Sequence, residues 1–260
     1  MGFGLVVGMS ETVIRFDDAT IAYEGRAAVR NLSGGFAKGS LTAVVGPNGA
    51  GKSTLIKSIV GLLKPQSGSV SLSGVDRRDI AHLPQLAAID DTFPISVLDV
   101  ALMGHWRRVG AFGRIRPSLR QDALRALADV GLAGFEDRLF GSLSAGQRQR
   151  VLFARVMVAD SPLILLDEPF ATVDHRTTGD LLRLVADWHD QGRTVVAVLH
   201  DFEQVRGHFP ETLLLARQVI GWGATEQVMT DDNLRRARAL SEDWDTASPD
   251  MIPDSGEQPR

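Results

Sequence analysis

The sequence predicts an α/β fold: a mainly parallel sheet core with an N-terminal antiparallel β-subdomain and a helical insert. Three observations predict it. Two continuous apolar runs, "PLILLDEP" and "TVVAVLHD", read as strands of a parallel sheet covered on both faces. Short β-branched and aromatic runs alternate with Gly and Asn turns over residues 11–45, as in hairpins. The stretch "GPNGAGKST" at 46–54 lies between an apolar run and a helical pattern, and strand, glycine loop, helix is the arrangement a phosphate loop requires.

Taken in order, the first patterned strand begins at "SETVIRF", so residues 1–10 read as an N-terminal extension. That extension lacks the basic region and small-residue cleavage site of a signal peptide. The runs "TVIRF", "ATIAY" and "LTAVV" supply the early strands. A helical pattern follows from Lys52 to Leu63 and ends at the turn "KPQSG". A helix starting near Ser118 places Leu124 and Leu127 on one face and stops at Gly131. A helical subdomain is therefore expected over 95–159, inside a main domain covering 11–240. In "SLSAGQRQR", residues 142–150, Ser144 is an N-cap with Gln147 at the third helical position, a capping box. From Ser241 the chain holds six Asp or Glu against one Arg, which predicts an acidic, disordered tail over 241–260.

Composition narrows the function. With 44% hydrophobic and 23% charged side chains, 260 residues bury a sizeable core. A net charge of -4 supplies no general attraction to nucleic acid. The absence of cysteine excludes disulfides and thiolate metal sites and suits a reducing compartment. No apolar run reaches the roughly 18–20 residues that span a bilayer, so membrane association is expected through a partner.

The chemistry is concentrated in a few places. In the loop Gly46, Pro47, Asn48, Gly49, Ala50, Gly51, Lys52, Ser53, Thr54, the glycines let backbone amides curl round a β-phosphate. Lys52 reaches the β and γ oxygens, and the Ser53 hydroxyl ligates Mg²⁺. Asp167, at the end of an apolar strand, is placed to hold Mg²⁺ directly or through water, and Glu168 faces the γ-phosphate and activates the attacking water. His200 closes a second apolar strand; it is either a structural histidine or a hydrogen-bonding partner of the γ-phosphate. Gln85, after a proline, carries little signal alone. Tyr23, the only tyrosine, either stacks on an adenine or covers the core. The helix beginning at Ser144 is a second positive helix end, one anion site more than the loop needs.

Together these pieces resemble the ATP-binding cassette (ABC) ATPases, a P-loop NTPase family. The likeness covers about residues 11–235 in the family's order: Tyr23 as A-loop aromatic, Walker A at 46–54, Gln85 in the Q-loop, the signature "LSAGQ" at 143–147, Walker B in "LILLDE", a D-loop ending at Asp174 and His200 in the H-loop. The resemblance implies ATP and Mg²⁺, with Ser53, Gln85 and Asp167 around the metal and Glu168, His200 and Gln85 as catalytic groups. It also implies a head-to-tail homodimer, in which Ser144, Gly146, Gln147 and Asp174 of one chain meet the nucleotide held by the other. That accounts for the second anion site. One departure is Ala145, where the family usually has glycine; the methyl costs something only if the position needs a positive φ or very close phosphate approach.

The segment "FPISVLDVALMGHWRRVGAFGRIRPS", 93–118, is similar to the part of zinc and manganese importer ATPases that docks a membrane permease. The resemblance thus implies an ATPase subunit on the cytoplasmic face of the membrane, held there by a permease and served by a separate substrate-binding protein, importing manganese or zinc. Siderophore and other small-solute importers share much of this architecture and form the alternative. Arg107, Arg108, Arg114, Arg116 and Arg120 are either a solvated basic face or part of the docking surface. The six histidines show no ligand spacing, so the transported ion is not expected to bind this chain.

Overall fold

The structure is a computed structural model and describes residues 11–23, 26–86, 89, 92–110 and 114–246, without the side chains of Arg108 and 242–246. The extension expected over 1–10 and the last part of the tail, 247–260, lie outside these residues. Two sheets form the frame. Strands β1 (Thr12–Tyr23), β2 (Arg26–Ala37) and β4 (Ser67–Leu72) make an antiparallel sheet in the order β2-β1-β4. The larger sheet adds β3 (Leu41–Val45), β5 (Ile80–Leu83), β6 (Leu163–Asp167), β7 (Thr194–Val198), β8 (Glu211–Leu215) and β9 (Val219–Ala224), in the order β5-β6-β7-β3-β8-β9. Its pairs are parallel except β8 with β9.

"LTAVV" differs from its expected grouping with the hairpin strands. It is β3, at the centre of the parallel sheet, because all five of its residues are buried and no polar alternation leaves a solvent face. Alternate residues of this strand feed two cores. Ala43 and Val45 join one with the helices, and Val44 joins the other between the two sheets.

Helix α1 (Lys52–Ile59) fills the space between the sheets with Leu55, Ile56 and Ile59. On the other side, α2 (Val97–Leu102), the short α3 (Trp106–Val109), α4 (Pro117–Asp129) and α5 (Ala145–Ala159) follow, with α2 and α4 packed on α5. Helix α6 (His175–Asp190) brings Trp188 onto Phe153 of α5, ring centroids 6.0 Å apart. Helices α7 (Phe202–His208), α8 (Thr225–Val228) and α9 (Asp231–Thr246) complete the chain. Helix α9 runs through 241–246, so the disorder expected from Ser241 does not begin there. Asp231 and Asp232 in its first turn favour the helix through its dipole, and extending an established helix needs no new nucleus. Among the described residues no helix is long and apolar enough to cross a membrane.

Candidate active site

The phosphate loop is shaped by two positions that admit no side chain. Strand β3 delivers the chain to Gly46, where a Cβ would lie 1.9 Å from the Leu215 carbonyl oxygen. At Gly51, φ is +93° and a Cβ would lie 2.4 Å from the Ala28 oxygen. Helix α1 therefore starts directly behind a left-handed glycine with no side-chain cap. Its first amides are left facing outward, available to an anion.

Lys52 is 6% exposed, and its ammonium donates to the Gly46 and Pro47 carbonyls at 2.8 Å each. Burial pulls its pKa below the ordinary lysine value, against the Glu168 and Asp167 carboxylates, which pull it up. Beside it, Asp167 ends β6 and is 4% exposed. The Ser53 hydroxyl donates to Asp167 Oδ1 at 3.1 Å, and the Gln85 side-chain amide lies 3.5 Å from the same hydroxyl. Burial raises the Asp167 pKa and the Ser53 hydrogen bond opposes the rise.

Glu168 occupies a left-handed backbone conformation, φ +51°, which costs a non-glycine residue ~1–3 kcal/mol and survives only where the surroundings hold it. Its amide donates to the Val198 carbonyl at 3.2 Å. Parallel pairing sets Asp167 beside Val198, which brings His200, two residues on, level with Glu168. His200 Nε2 lies 2.5 Å from Glu168 Oε1. This places the imidazole beside the Glu168 carboxylate at the end of the sheet.

Lys52, Ser53, Gln85 and Glu168 border one cleft of about 350 Å³, together with Tyr23 and the rest of residues 48–54; Asp167 and His200 are tied to it through Ser53 and Glu168. Tyr23 is 44% exposed at its rim with the Lys57 ammonium 5.0 Å over its ring, so it does not cover the core. Four lining residues carry no signal in the sequence reading, Arg26, Ala27, Ala28 and Arg217. Arg26 pairs with Tyr23 across the hairpin, a neighbour legible once the hairpin is drawn. Arg217 sits at φ +56° between β8 and β9, its amide donating to the Ala50 carbonyl at 3.0 Å. Only the strand order, β3 beside β8, brings it to the loop.

Ser144, Gly146, Gln147 and Asp174 do not line this cleft. The capping box is complete: the Gln147 amide donates to Ser144 Oγ at 3.3 Å and the Ser144 amide to Gln147 Oε1 at 3.0 Å. Ala145 opens α5 and is not among the positive-φ residues, so its methyl meets no backbone strain. Asp174 is engaged within its own chain at the start of α6. Its carboxylate caps α6, accepting from the Thr177 amide at 3.0 Å and hydroxyl at 2.8 Å, and these bonds lower its pKa.

A second cleft, about 370 Å³, runs between β5 and the segment 103–107 and includes Arg155. Phe93 and Trp106 are 64% and 62% exposed nearby in sequence. Arg107, Arg114, Arg116 and Arg120 are all exposed, and Arg107 is ion-paired with Asp79. The Arg108 side chain lies outside the description.

The sequence profile of the ABC transporter family matches residues 29–171. The manganese transport system ATP-binding protein MntB of Listeria monocytogenes is 40% identical over 222 residues, 84% of this chain and 92% of that protein. The zinc transport system ATP-binding protein TroB of Treponema pallidum is 39% identical over 230 residues, 86% of each. Among solved structures, one described as a metal-chelate type ABC transporter in an inward-facing conformation superposes with a TM-score of 0.78 at 31% identity. The match covers 88% of this chain and 90% of that one.

Proposed function

Because the chain belongs to the ABC transporter family, we propose that it is the ATP-hydrolysing subunit of a membrane importer for a divalent metal ion, manganese or zinc. The observation that carries the chemistry is the convergence of Lys52, the Ser53–Asp167 pair and the Glu168–His200 pair on one cleft behind an uncapped helix. The metal assignment rests on the likeness to the manganese and zinc proteins.

In this reading the first amides of α1 and the Lys52 ammonium hold the β- and γ-phosphates of ATP. The ammonium exchanges its two loop carbonyls for phosphate oxygens, which are charged and stronger acceptors. Tyr23 takes the adenine at the rim. Glu168 orients the attacking water and accepts its proton, and His200 holds the carboxylate on one side. Ser53, Asp167 and Gln85 form an oxygen-rich set that fits Mg²⁺, with the Asp167 carboxylate buried and its pKa raised by that burial. When bound, Mg²⁺ neutralises charge on the β- and γ-phosphate oxygens.

Ser144, Gly146 and Gln147 have no role in their own cleft, and the reading gives them to the nucleotide of a second copy packed head to tail, with Asp174 on the same face. ATP binding closes that dimer, and hydrolysis reopens it. The permease docks on 93–118 and keeps the chain at the cytoplasmic membrane face; a separate binding protein delivers the ion.

Growth tests the cargo. Cells lacking this chain should grow poorly when Mn²⁺ or Zn²⁺ is chelated, and the added ion should restore them. Replacing Arg107 and Arg108 by Glu should weaken co-purification with the permease while ATP binding persists. Normal growth under chelation together with failed uptake of an iron siderophore would transfer the assignment to chelate import, the reading favoured by the metal-chelate structural neighbour.

A further inference from the structure

One face of α5 carries the turn that holds Glu168. Gly146, Gln149 and Phe153 recur at spacings of three and four along that face. Gly146 lies against Thr172 and Val173, and the Phe153 ring stacks on Phe170 with centroids 6.2 Å apart. Between them Gln149, 1% exposed, donates from Nε2 to the Pro169 carbonyl at 2.7 Å. Its neighbour Arg150 reaches the Thr177 hydroxyl, which in turn bonds Asp174.

The Gln149 bond falls where the backbone needs it. Glu168 is left-handed, and its own amide is held by Val198. The next residue, Pro169, is buried and has no N–H with which to anchor the peptide on the other side. Within the turn the Ala171 amide reaches the Glu168 carbonyl at 3.4 Å; the Gln149 donor to the Pro169 carbonyl adds a hold from the α5 side, and a buried carbonyl rewards it.

We propose that Gln149 is a positioning residue for ATP hydrolysis: through the Pro169 carbonyl it holds Glu168 in the left-handed turn that presents its carboxylate to the cleft, and so ties that placement to the signature helix. This rests on the reading of Glu168 as the group that activates water. Helix α5 then serves two nucleotides, presenting Ser144 to the partner's and, one turn later, steadying Glu168 at its own.

The test is a double-mutant cycle on the purified full-length chain, with turnover and ATP affinity measured in Mg²⁺. Gln149→Leu removes the donor at similar size and should lower kcat about tenfold or more, with KM for ATP and ATP affinity changed less than about threefold. In a Glu168→Gln background the same substitution should cost no further residual turnover, since the group it positions is already lost. A kcat within about twofold of wild type for Gln149→Leu overturns the proposal, as does an equal proportional loss in the two backgrounds. Glu168→Gln hydrolysing like wild type would instead sink the underlying reading of Glu168. Should Gln149→Leu lose ATP binding, the unbranched Gln149→Met repeats the measurement; loss of binding by both makes Gln149 structural and overturns the proposal.

Discussion

The two helix starts that the proposed function gives to phosphate, α1 and α5, are built in opposite ways. Helix α1 has no side-chain cap and begins behind a left-handed glycine wedged against Ala28; helix α5 is closed by a complete Ser144–Gln147 box. An uncapped end keeps its amides free for an anion but needs backbone that only glycine allows. A self-capped end is stable in isolation and gives up its cap only when a better acceptor arrives. Under the proposed function the difference teaches which site works alone: the loop is prepared for nucleotide within one chain, and the signature end waits for a second chain to bring phosphate to it.

The sharpest break in that comparison is one methyl placed at each end. Gly51→Ala puts a Cβ 2.4 Å from the Ala28 oxygen and 2.6 Å from Val29 Cγ2 at φ +93°. Left-handed strain and overpacking together cost about 3 kcal/mol. ATP affinity should fall about a hundredfold as displaced amides lose charge-assisted bonds, with a clear drop in Tm. Gly146→Ala would meet nothing nearer than Thr172 O at 3.6 Å, so the isolated chain should keep both its Tm and its ATP affinity. Calorimetry and equilibrium ATP binding check the pair; equal losses would erase the distinction between the two ends.

Next in size is the dimer. Glu168→Gln should keep ATP binding while hydrolysis falls about a hundredfold or more, and with ATP and Mg²⁺ it should accumulate as a dimer visible by light scattering. Adding Ser144→Arg should return it to monomer by placing bulk against the partner's γ-phosphate. A persistent dimer in the double variant would mean that α5 does not work across the interface.

How much of this was legible in the sequence follows the same division. The phosphate loop, Asp167 and Glu168 are contiguous patterns attached to apolar strands, so local spacing carries them. The pairing of His200 with Glu168 needed only the adjacency of β6 and β7. Arg217 and Gln149 depend on contacts between distant elements, β8 with β3 and α5 with the turn after β6, and no local periodicity records those. The left-handed turn at Glu168 was hidden because glutamate rarely adopts it. "LTAVV" was grouped with hairpins because five residues of β-formers look alike in either sheet; strand order, not composition, separates them.

A smaller effect isolates the cap itself. Ser144→Ala removes the oxygen that accepts from the Gln147 amide and should cost ~1 kcal/mol of stability in the monomer, the ordinary value of an N-cap. ATP affinity of the isolated chain should not change, because Ser144 is absent from the cleft lining. Denaturant unfolding measures the first and equilibrium binding the second. A loss of monomer ATP affinity would mean that the signature end already serves its own chain's nucleotide.

The smallest effect is expected at Ala145, the departure from the family's usual glycine. Two physical demands would make glycine necessary there, a positive φ or a phosphate oxygen too close for a methyl. The first is absent, since Ala145 stands at the start of α5 and is not a positive-φ residue. Alanine is also the better helix former, by up to ~1 kcal/mol in a helix interior and less at its first position. Ala145→Gly should therefore lower stability by a few tenths of a kcal/mol and leave dimer turnover within about twofold, because the donors that replace the cap belong to the backbone and to Ser144. Steady-state ATPase measured with the permease complex decides it. A tenfold gain in turnover for Ala145→Gly would show that the methyl holds the partner's γ-phosphate away, and that this chain's signature end is tuned for slow closure.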